Sequence, residues 1–208
     1  MSAPPPSLSP AAGRSRLWAE LGTLPNLMSI SRIGLIYLSA ALMLVGWPIG
    51  AVVVGVLAGI SDYLDGWLAR RMGQVTDLGA ILDRLCDLVF ESTWLVVALV
   101  LRDHSPVVLC AYLLREFVIL SARLWCSAHG VALGSTLAGK LKSNFLGYTA
   151  FALYLSHAHA LAALRDHLYA LSVLGIVCGL ILSYWSAYHY LRRFARAYDT
   201  VQKEQRAG

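Results

Sequence analysis

Acidic side chains are concentrated in one stretch of the chain, from Ser61 to Glu91. Long apolar runs flank this stretch, although an ionised side chain at bilayer depth costs roughly 2.5–3.5 kcal/mol even on a lenient insertion scale. Several such groups together predict a wet, metal-occupied or otherwise compensated cavity, and therefore a functional site. Six of the chain's twelve acidic residues lie in this stretch: Asp62, Asp65, Asp77, Asp83, Asp87 and Glu91.

The spacing of these residues predicts two helical faces that can aim carboxylates at one point. Asp62 and Asp65 are three positions apart, so they share one face of a helix. Gly79, Asp83 and Asp87 follow one another at intervals of four, which places them on one face of another. Converging carboxylates repel one another, and the usual remedy is a pair of hard divalent cations with oxygen ligands. We predict that Asp62, Asp65, Asp83 and Asp87 bind two Mg²⁺ or Mn²⁺ ions.

Glycines and arginines beside the aspartates suit a ligand that carries phosphate. Gly66 and Gly79 have no Cβ, so a bulky ligand or a neighbouring helix can come close to the backbone. Arg70 and Arg71 would supply cations next to the aspartates. These residue types predict a site that binds phosphate oxygens.

From Asp62 to Asp87 the sequence follows the pattern D-x2-D-G-x2-A-R-x8-G-x3-D-x3-D. This pattern matches the signature of the CDP-alcohol phosphatidyltransferase family, and the chain resembles that family over most of its length. It departs from the pattern usual in phosphatidylglycerophosphate synthases at Arg84 and Leu88, where those enzymes have a proline and a lysine. The resemblance implies a role in phospholipid biosynthesis, in which a phosphatidyl group passes from CDP-diacylglycerol to a hydroxyl acceptor and CMP is released.

The resemblance also implies roles for individual residues. Asp87 would be the general base, although the spacing alone does not say which aspartate has that role. Asn26 and Thr76 would contact the CDP-lipid, because the matching family positions lie against it. Members of this family form homodimers, so the resemblance implies a homodimer here. The CDP-lipid contacts are predicted at Asn26, Gly66, Ala69, Arg70, Thr76 and Gly79.

The acceptor is predicted from three basic residues. A small dianion needs fixed cations and a neutral alcohol does not, so we predict sn-glycerol 3-phosphate, held by Arg115, Lys140 and Lys142. The cytosolic bias of Lys and Arg explains the two lysines nearly as well. The alternative acceptors are inositol phosphate or inositol, phosphatidylglycerol, serine and choline. The local resemblance to phosphatidylglycerophosphate synthases lies in Pro25-Asn26, Arg115-Glu116 and Gly139-Lys140-x-Lys142.

The composition excludes an ordinary soluble domain, since 58% of the 208 residues are hydrophobic and 14% are charged. We predict an all-α polytopic membrane protein with six transmembrane helices of about twenty residues each. We see no nucleic-acid module, and the four cysteines should be free thiols. The predicted helices lie near residues 27–46, 49–71, 77–101, 106–128, 144–164 and 168–193.

Four segments are predicted along the chain. Residues 1–13 are small, proline-rich and uncharged, which favours a disordered tail over a signal peptide. Residues 14–24 mix Arg, Trp and Leu, which favours a short interfacial amphipathic helix, with a solvated linker as the alternative. Residues 25–197 form the six-helix membrane domain, and residues 198–208 a polar cytosolic tail.

Several polar residues near the helix ends leave alternatives open. Pro25 should break the preceding segment, and Asn26 is a good N-cap for the first span. Arg32 could snorkel to the headgroups or point inward to a phosphate or a carboxylate. Thr76 or Asp77 can cap the third helix.

Charged residues on the third and fourth spans leave a further alternative. Glu91 either contacts the metal-binding aspartates without binding the metal itself, or pairs with a cation such as Arg115 or Arg123. On the fourth span, Arg115, Glu116 and Arg123 could neutralise one another's charges across helices.

The distribution of Lys and Arg predicts the orientation. Eleven of the seventeen lie on the side of the two termini, whereas the loops on the other side have only Arg102 and Arg165. By the positive-inside rule, both termini and the site face the cytosol, and we predict a bacterial inner membrane. The alternative from another class is a cation or proton transporter, but its carboxylates should lie near the bilayer centre rather than beside arginines at one interface.

Overall fold

A computed structural model describes Trp18 and residues 21–73, 76–131 and 137–207. The predicted tail at residues 1–13 lies outside the described residues, as does most of the predicted interfacial segment 14–24. Within that segment Trp18 and Leu21 have helical backbone, and the Gly22 amide donates a hydrogen bond to the Trp18 carbonyl at 3.1 Å. Inside the described ranges, nothing is described of the side chains of Asp65, Ala69, Asp77, residues 137–141 and residues 204–207.

Long α-helices make up almost all of the described chain, and those residues contain no strand. The all-α prediction is therefore confirmed. A short 3-10 helix (His159–Leu164) precedes the last α-helix. The six α-helices are α1 (Leu24–Leu44), α2 (Pro48–Arg71), α3 (Asp77–Val100), α4 (Pro106–Ala128), α5 (Leu137–Ser156) and α6 (Arg165–Ala207).

The first four helices lie within three residues of their predicted ends, whereas the last two differ more. Helix α5 begins at Leu137 rather than at residue 144, because its first turns carry lysines that resemble a polar loop in the sequence. It ends at Ser156, since the 3-10 helix takes up the segment predicted as its last turns. Helix α6 continues to Ala207, well beyond the predicted end at residue 193.

Apolar helices of this length characterise a membrane protein. By length and composition, three helical segments in the described part of the chain can cross a membrane: Leu24–Leu44, Pro48–Leu68 and His159–Lys203. Helices α3, α4 and α5 carry ten charged residues between them, which lowers their hydropathy. Several of these charged residues, such as Asp83 and Asp87, belong to the candidate site.

The first helix does not begin as the sequence predicted. Its N-cap is Thr23, and Pro25 lies in its first turn, where a missing N–H costs no helical hydrogen bond. Asn26 is therefore inside the helix and not its cap, and its side chain is buried. Thr76, one of the two predicted caps of α3, is the residue that caps it, accepting a hydrogen bond from the Gly79 amide at 3.0 Å.

The helices pack as two antiparallel pairs with α3 and α4 against them. Helix α1 packs on α2 and α3, α5 packs on α6, and α4 packs on α6 as well. A Cβ on Gly179 would lie 2.9 Å from a methyl of Leu146, so glycine lets α5 and α6 approach closely. Trp94, Tyr112 and Leu153 fill the shared core. All four cysteines are free thiols, as predicted.

Candidate active site

Helices α1, α2 and α3 bring one arginine and two of the predicted aspartates together. Arg32 of α1 is only 4% exposed, and its Nη1 forms an ion pair with Asp62 Oδ1. The same nitrogen lies 3.7 Å from Asp83 Oδ1. Arg32 therefore points inward to carboxylates, which was one of its two alternatives. Asp62 and Asp83, twenty-one positions apart in sequence, meet at one cation.

The other two predicted metal ligands continue the same faces. Asp87 lies one turn after Asp83 on α3 and interacts electrostatically with Asp62, Asp83 and Arg32. Asp65 is three positions after Asp62 on α2, but its side chain lies outside the described residues. Among the described side chains, no three His, Cys, Asp or Glu are close enough to hold a metal ion.

The donors at this place fit a hard divalent cation. Asp62 and Asp83 offer carboxylate oxygens from two different helices, and Mg²⁺ and Mn²⁺ prefer oxygen ligands. The ion pairs of Arg32 show that positive charge is favourable between these two carboxylates. The aspartate side chains are accessible, with 45% of Asp62 and 56% of Asp83 exposed, so a ligand can reach them.

Three of the predicted CDP-lipid contacts meet where α3 begins. Asn26 is 3% exposed on α1 and faces Gly79 of α3. A Cβ on Gly79 would lie 3.0 Å from Asn26 Oδ1 and 3.2 Å from Thr76 Oγ1, which is closer than side chains normally pack. The start of α3 therefore favours glycine at this position.

We expect Gly79→Ala to lower the free energy of unfolding by about 1–3 kcal/mol, because the added methyl displaces a buried amide and the capping hydroxyl. The measurement is thermal unfolding in detergent. Gly34→Ala on α1 is the matched control, since a Cβ there would meet no atom within 4 Å. The control should be neutral or stabilising by up to about 1 kcal/mol. Equal behaviour of the two variants would contradict the close approach at Gly79.

The remaining predicted CDP-lipid contacts lie on the last turns of α2. A Cβ on Gly66 would be 3.5 Å from an Arg70 guanidinium nitrogen, which is ordinary contact. Arg70 and Arg71 are exposed, and the Arg71 guanidinium lies 4.8 Å from the centre of the Trp67 ring. The side chain of Ala69 is outside the described residues. The two arginines thus offer accessible cations a little more than two turns beyond Asp62.

A buried charge cluster joins α3, α4 and α5. Lys142 Nζ donates to Glu91 Oε2 at 2.7 Å and to Glu116 Oε1 at 2.8 Å. Glu116 also pairs with Arg115, and the Tyr112 hydroxyl donates to Glu91 Oε2 at 2.5 Å. Glu91 pairs with a cation, as one alternative held, but the cation is Lys142 rather than the arginines named for it. We call these five residues the charge cluster.

The charge cluster contains two of the three predicted acceptor contacts. Arg115 and Lys142 are 8% and 5% exposed, and each already has a carboxylate partner. Arg115 Nε donates in addition to the Ser183 carbonyl at 3.2 Å. Lys140, the third predicted contact, has a side chain outside the described residues. A ligand that reached Arg115 and Lys142 would therefore meet two cations that are balanced by two carboxylates.

Comparison with known proteins decides the family. The family model described as CDP-alcohol phosphatidyltransferase matches residues 22–185, which include the whole signature and helices α1 to α5. The chain belongs to the CDP-alcohol phosphatidyltransferase family. It is thus an enzyme of the phosphatidyltransferase class, and the aspartates at Arg32 are those of the family signature.

Relatives within the CDP-alcohol phosphatidyltransferase family carry two different names. A protein of Streptomyces coelicolor named cardiolipin synthase (CMP-forming) is 33% identical over 178 residues, covering 81% of this chain and 77% of the relative. Two relatives are named CDP-diacylglycerol--glycerol-3-phosphate 3-phosphatidyltransferase. The one from Bacillus subtilis is 29% identical, covering 58% of this chain and 70% of the relative. The one from Pectobacterium atrosepticum is 27% identical, covering 81% and 92%.

Proposed function

We propose that the protein transfers the phosphatidyl group of CDP-diacylglycerol to sn-glycerol 3-phosphate, giving phosphatidylglycerophosphate and CMP. The acceptor oxygen attacks the phosphorus attached to the lipid, and the bond from that phosphorus to the CMP oxygen breaks. The observation that carries the proposal is the meeting of Asp62 and Asp83 at one buried cation, inside the family signature. The relatives from Bacillus subtilis and Pectobacterium atrosepticum are named for this reaction.

The aspartates provide the ligands for the metal. Asp62, Asp65, Asp83 and Asp87 would hold two Mg²⁺ or Mn²⁺ ions, which supply charge stabilisation to the diphosphate and the departing CMP. Arg70 would bind phosphate oxygens through its exposed guanidinium. The free amides at the start of α3 suit the diphosphate as well, because a helix N-terminus attracts anions. Asn26, Gly66, Ala69, Thr76 and Gly79 complete the proposed CDP-lipid contacts.

Asp87 is proposed as the base that takes the proton of the acceptor hydroxyl. A carboxylate is a weak base for an alcohol in water, so the acceptor oxygen must be positioned and its proton acidified by nearby positive charge. Arg32 belongs to these surroundings, since it interacts electrostatically with Asp87. The proton of the acceptor hydroxyl passes to the Asp87 carboxylate as the new bond between the acceptor oxygen and phosphorus forms.

Phosphatidylglycerol is the second candidate acceptor. The Streptomyces coelicolor relative, which has the highest identity of the three compared, is named cardiolipin synthase (CMP-forming). The carboxylate partners of Arg115 and Lys142 also favour an acceptor of lower charge over a dianion. Acceptor binding by Arg115, Lys140 and Lys142 stays a prediction. Inositol phosphate remains the nearest rival among the soluble anions.

We further propose six membrane spans and a homodimer. The eleven Lys and Arg on the side of the termini favour cytosolic termini in a bacterial inner membrane. The site then opens to the cytosol, where nucleotide-activated substrates are found, and residues 14–24 lie at the interface as an amphipathic helix.

A panel of acceptors tests the proposed reaction. Purified protein in detergent with Mg²⁺ or Mn²⁺ and CDP-diacylglycerol is offered sn-glycerol 3-phosphate, phosphatidylglycerol or inositol phosphate, and the lipid products are measured by mass spectrometry. We expect CMP release and phosphatidylglycerophosphate with the first acceptor and no release when the metal is chelated. Cardiolipin as the sole product would show that the acceptor is phosphatidylglycerol rather than sn-glycerol 3-phosphate, and the proposed phosphatidyl transfer would still hold. If no acceptor of the panel led to CMP release, phosphatidyl transfer would be contradicted.

A further inference from the structure

A cavity of about 330 Å³ lies at the end of the bundle opposite the aspartates. Its walls come from the end of α1, the start of α2, the loop after α3 and the segment that contains the 3-10 helix. Leu101, which directly follows α3 and lines the cavity, is eighteen positions beyond Asp83, or about 27 Å along the helix axis. That distance approaches the thickness of the hydrocarbon core of a bilayer. The cavity is therefore separate from the candidate active site, and a helix that spans the bilayer would place the two at opposite surfaces.

The exposed residues around the cavity have the character of a membrane interface. Trp47, directly before α2, is 61% exposed, and a Cβ on Gly50 would lie 2.6 Å from its ring, so the ring packs against the start of α2. Tryptophan is enriched where a membrane meets water. The 3-10 helix has no buried residue, although five of its six residues are Ala or Leu, and such an apolar surface favours lipid over water. These features place the cavity at the level of the lipid headgroups.

Hydrogen bonds of Asp103 hold the walls of the cavity together. One oxygen of its carboxylate lies 2.8 Å from His157 Nε2, directly after α5, and His157 lines the cavity. The Tyr169 hydroxyl of α6 donates to the Asp103 carbonyl at 2.9 Å. The loop after α3 is thus joined to both α5 and α6. A cavity with walls fixed in this way needs little ordering when a ligand binds.

The lining combines apolar side chains with positive charge. Asp103 occupies His157, whereas no ion pair among the described residues includes His159 or Arg165, which are both exposed and line the cavity. No carboxylate of the described residues lines it. Helix α2 begins in the wall, and the positive end of its dipole favours an anion there. The apolar part of the lining includes Met43, Leu44, Pro48 and Leu101.

We propose that this cavity binds a phospholipid with an anionic headgroup. The phosphate lies at Arg165 and His159, and the first part of an acyl chain lies along Met43 and Leu44. A soluble anion would leave the apolar wall uncovered, so the lining fits a lipid better. A headgroup of net negative charge is preferred over a zwitterionic one, because the ammonium of the latter repels the guanidinium of Arg165.

Photolabelling with lipids tests the proposal at the level of residues. The full-length protein in detergent micelles receives phosphatidylglycerol whose acyl chain carries a photoactivated group, and mass spectrometry of peptides identifies the labelled residues. We expect label within residues 43–48 and 157–165. Phosphatidylcholine with the same acyl chain should label these two segments about tenfold less, as the loss of one charge-assisted contact would produce.

Two variants separate the charge from the cavity. Arg165→Gln should lower the labelling of the two segments by phosphatidylglycerol about tenfold, whereas Ala162→Phe, which fills the cavity but keeps the charge, should lower the labelling by both lipids. Arg165 and Ala162 are exposed, so both variants should melt as the wild type does in lipid-free detergent. The matched control is Arg102→Gln, because Arg102 is an exposed arginine at the same end of the bundle that does not line the cavity. Its labelling should equal that of the wild type.

Three results would overturn the inference. The two lipids could label the segments equally and without dependence on Arg165, millimolar inorganic phosphate could abolish the labelling, or Arg102→Gln could lower it as much as Arg165→Gln does. The second result would assign the cavity to a soluble anion. Arg165→Gln should keep the CMP release of the wild type, so each of these failures leaves the proposed reaction standing. Absence of CMP release from the wild type would refute that reaction and leave the lipid site unaffected.

Discussion

Replacement of Asp87 by asparagine should lower the rate of CMP release about 10²- to 10⁴-fold. General-base catalysis contributes about that much, and an amide cannot accept the acceptor proton. CDP-diacylglycerol binding should remain measurable, because Asp62 and Asp83 keep their carboxylates and Arg70 keeps its charge. The rate is measured as CMP release at a saturating acceptor concentration. Binding is measured as the rise in the unfolding temperature of the variant when CDP-diacylglycerol is added.

Asp199→Asn is the matched control for Asp87→Asn. It also removes one carboxylate from a helix, but Asp199 is exposed on α6 and far along the chain from the signature. We expect a normal rate in the control. A near-normal rate in Asp87→Asn would exclude Asp87 as the base, and the remaining aspartates would then have to be tested singly.

Replacement of Lys142 by methionine should have the largest effect on stability. Methionine matches the length of the lysine stem but leaves Glu91 and Glu116 without their shared cation. Glu91 is 2% exposed, so its charge would remain buried and uncompensated. Loss of one partner from a buried ion pair costs about 3–5 kcal/mol, which we expect as a loss in the free energy of unfolding in detergent.

Two further variants separate lost charge balance from lost packing. Addition of Glu91→Gln and Glu116→Gln to Lys142→Met should restore much of the stability, because neutral amides tolerate burial better than unpaired carboxylates. Lys203→Met, at an exposed position of α6, should be within about 0.5 kcal/mol of the wild type. If Lys142→Met were as stable as Lys203→Met, the charge cluster would not be buried in the folded protein.

Local patterns in the sequence were enough to predict α1 to α4 and the approach of Asp62 to Asp83. Apolar runs determine where these helices lie, and spacings of three and four place Asp62 and Asp83 on facing sides. The start of α5 was missed because Lys142 resembles a loop residue in the sequence. Its partner Glu91 is fifty-one positions away, so the sequence gives no local sign that the lysine is neutralised inside the bundle.

The same limit applies to Asn26 and Tyr190. Asn26 has the residue type of an N-cap, but Pro25 is tolerated in the first helical turn, so the helix begins earlier and Asn26 faces Gly79 instead. Tyr190 looks like one of many aromatic residues on an apolar helix. Only the packing of α6 on α4 places its hydroxyl beside Arg123, because the two residues are sixty-seven positions apart.

The ion pair between Arg32 and Asp62 has a consequence for how the protein enters the membrane during synthesis. An arginine or aspartate within a membrane helix opposes insertion of α1 or α2 alone, at a cost that reaches roughly 2.5–3.5 kcal/mol on the translocon scale at the helix centre and is smaller towards the interface. Only residues 45–47 separate these helices, so they can leave the translocon together as a helical hairpin. Arg32 would then neutralise Asp62 before either helix is exposed to lipid. We therefore expect biogenesis of the first two spans to be a single cooperative step.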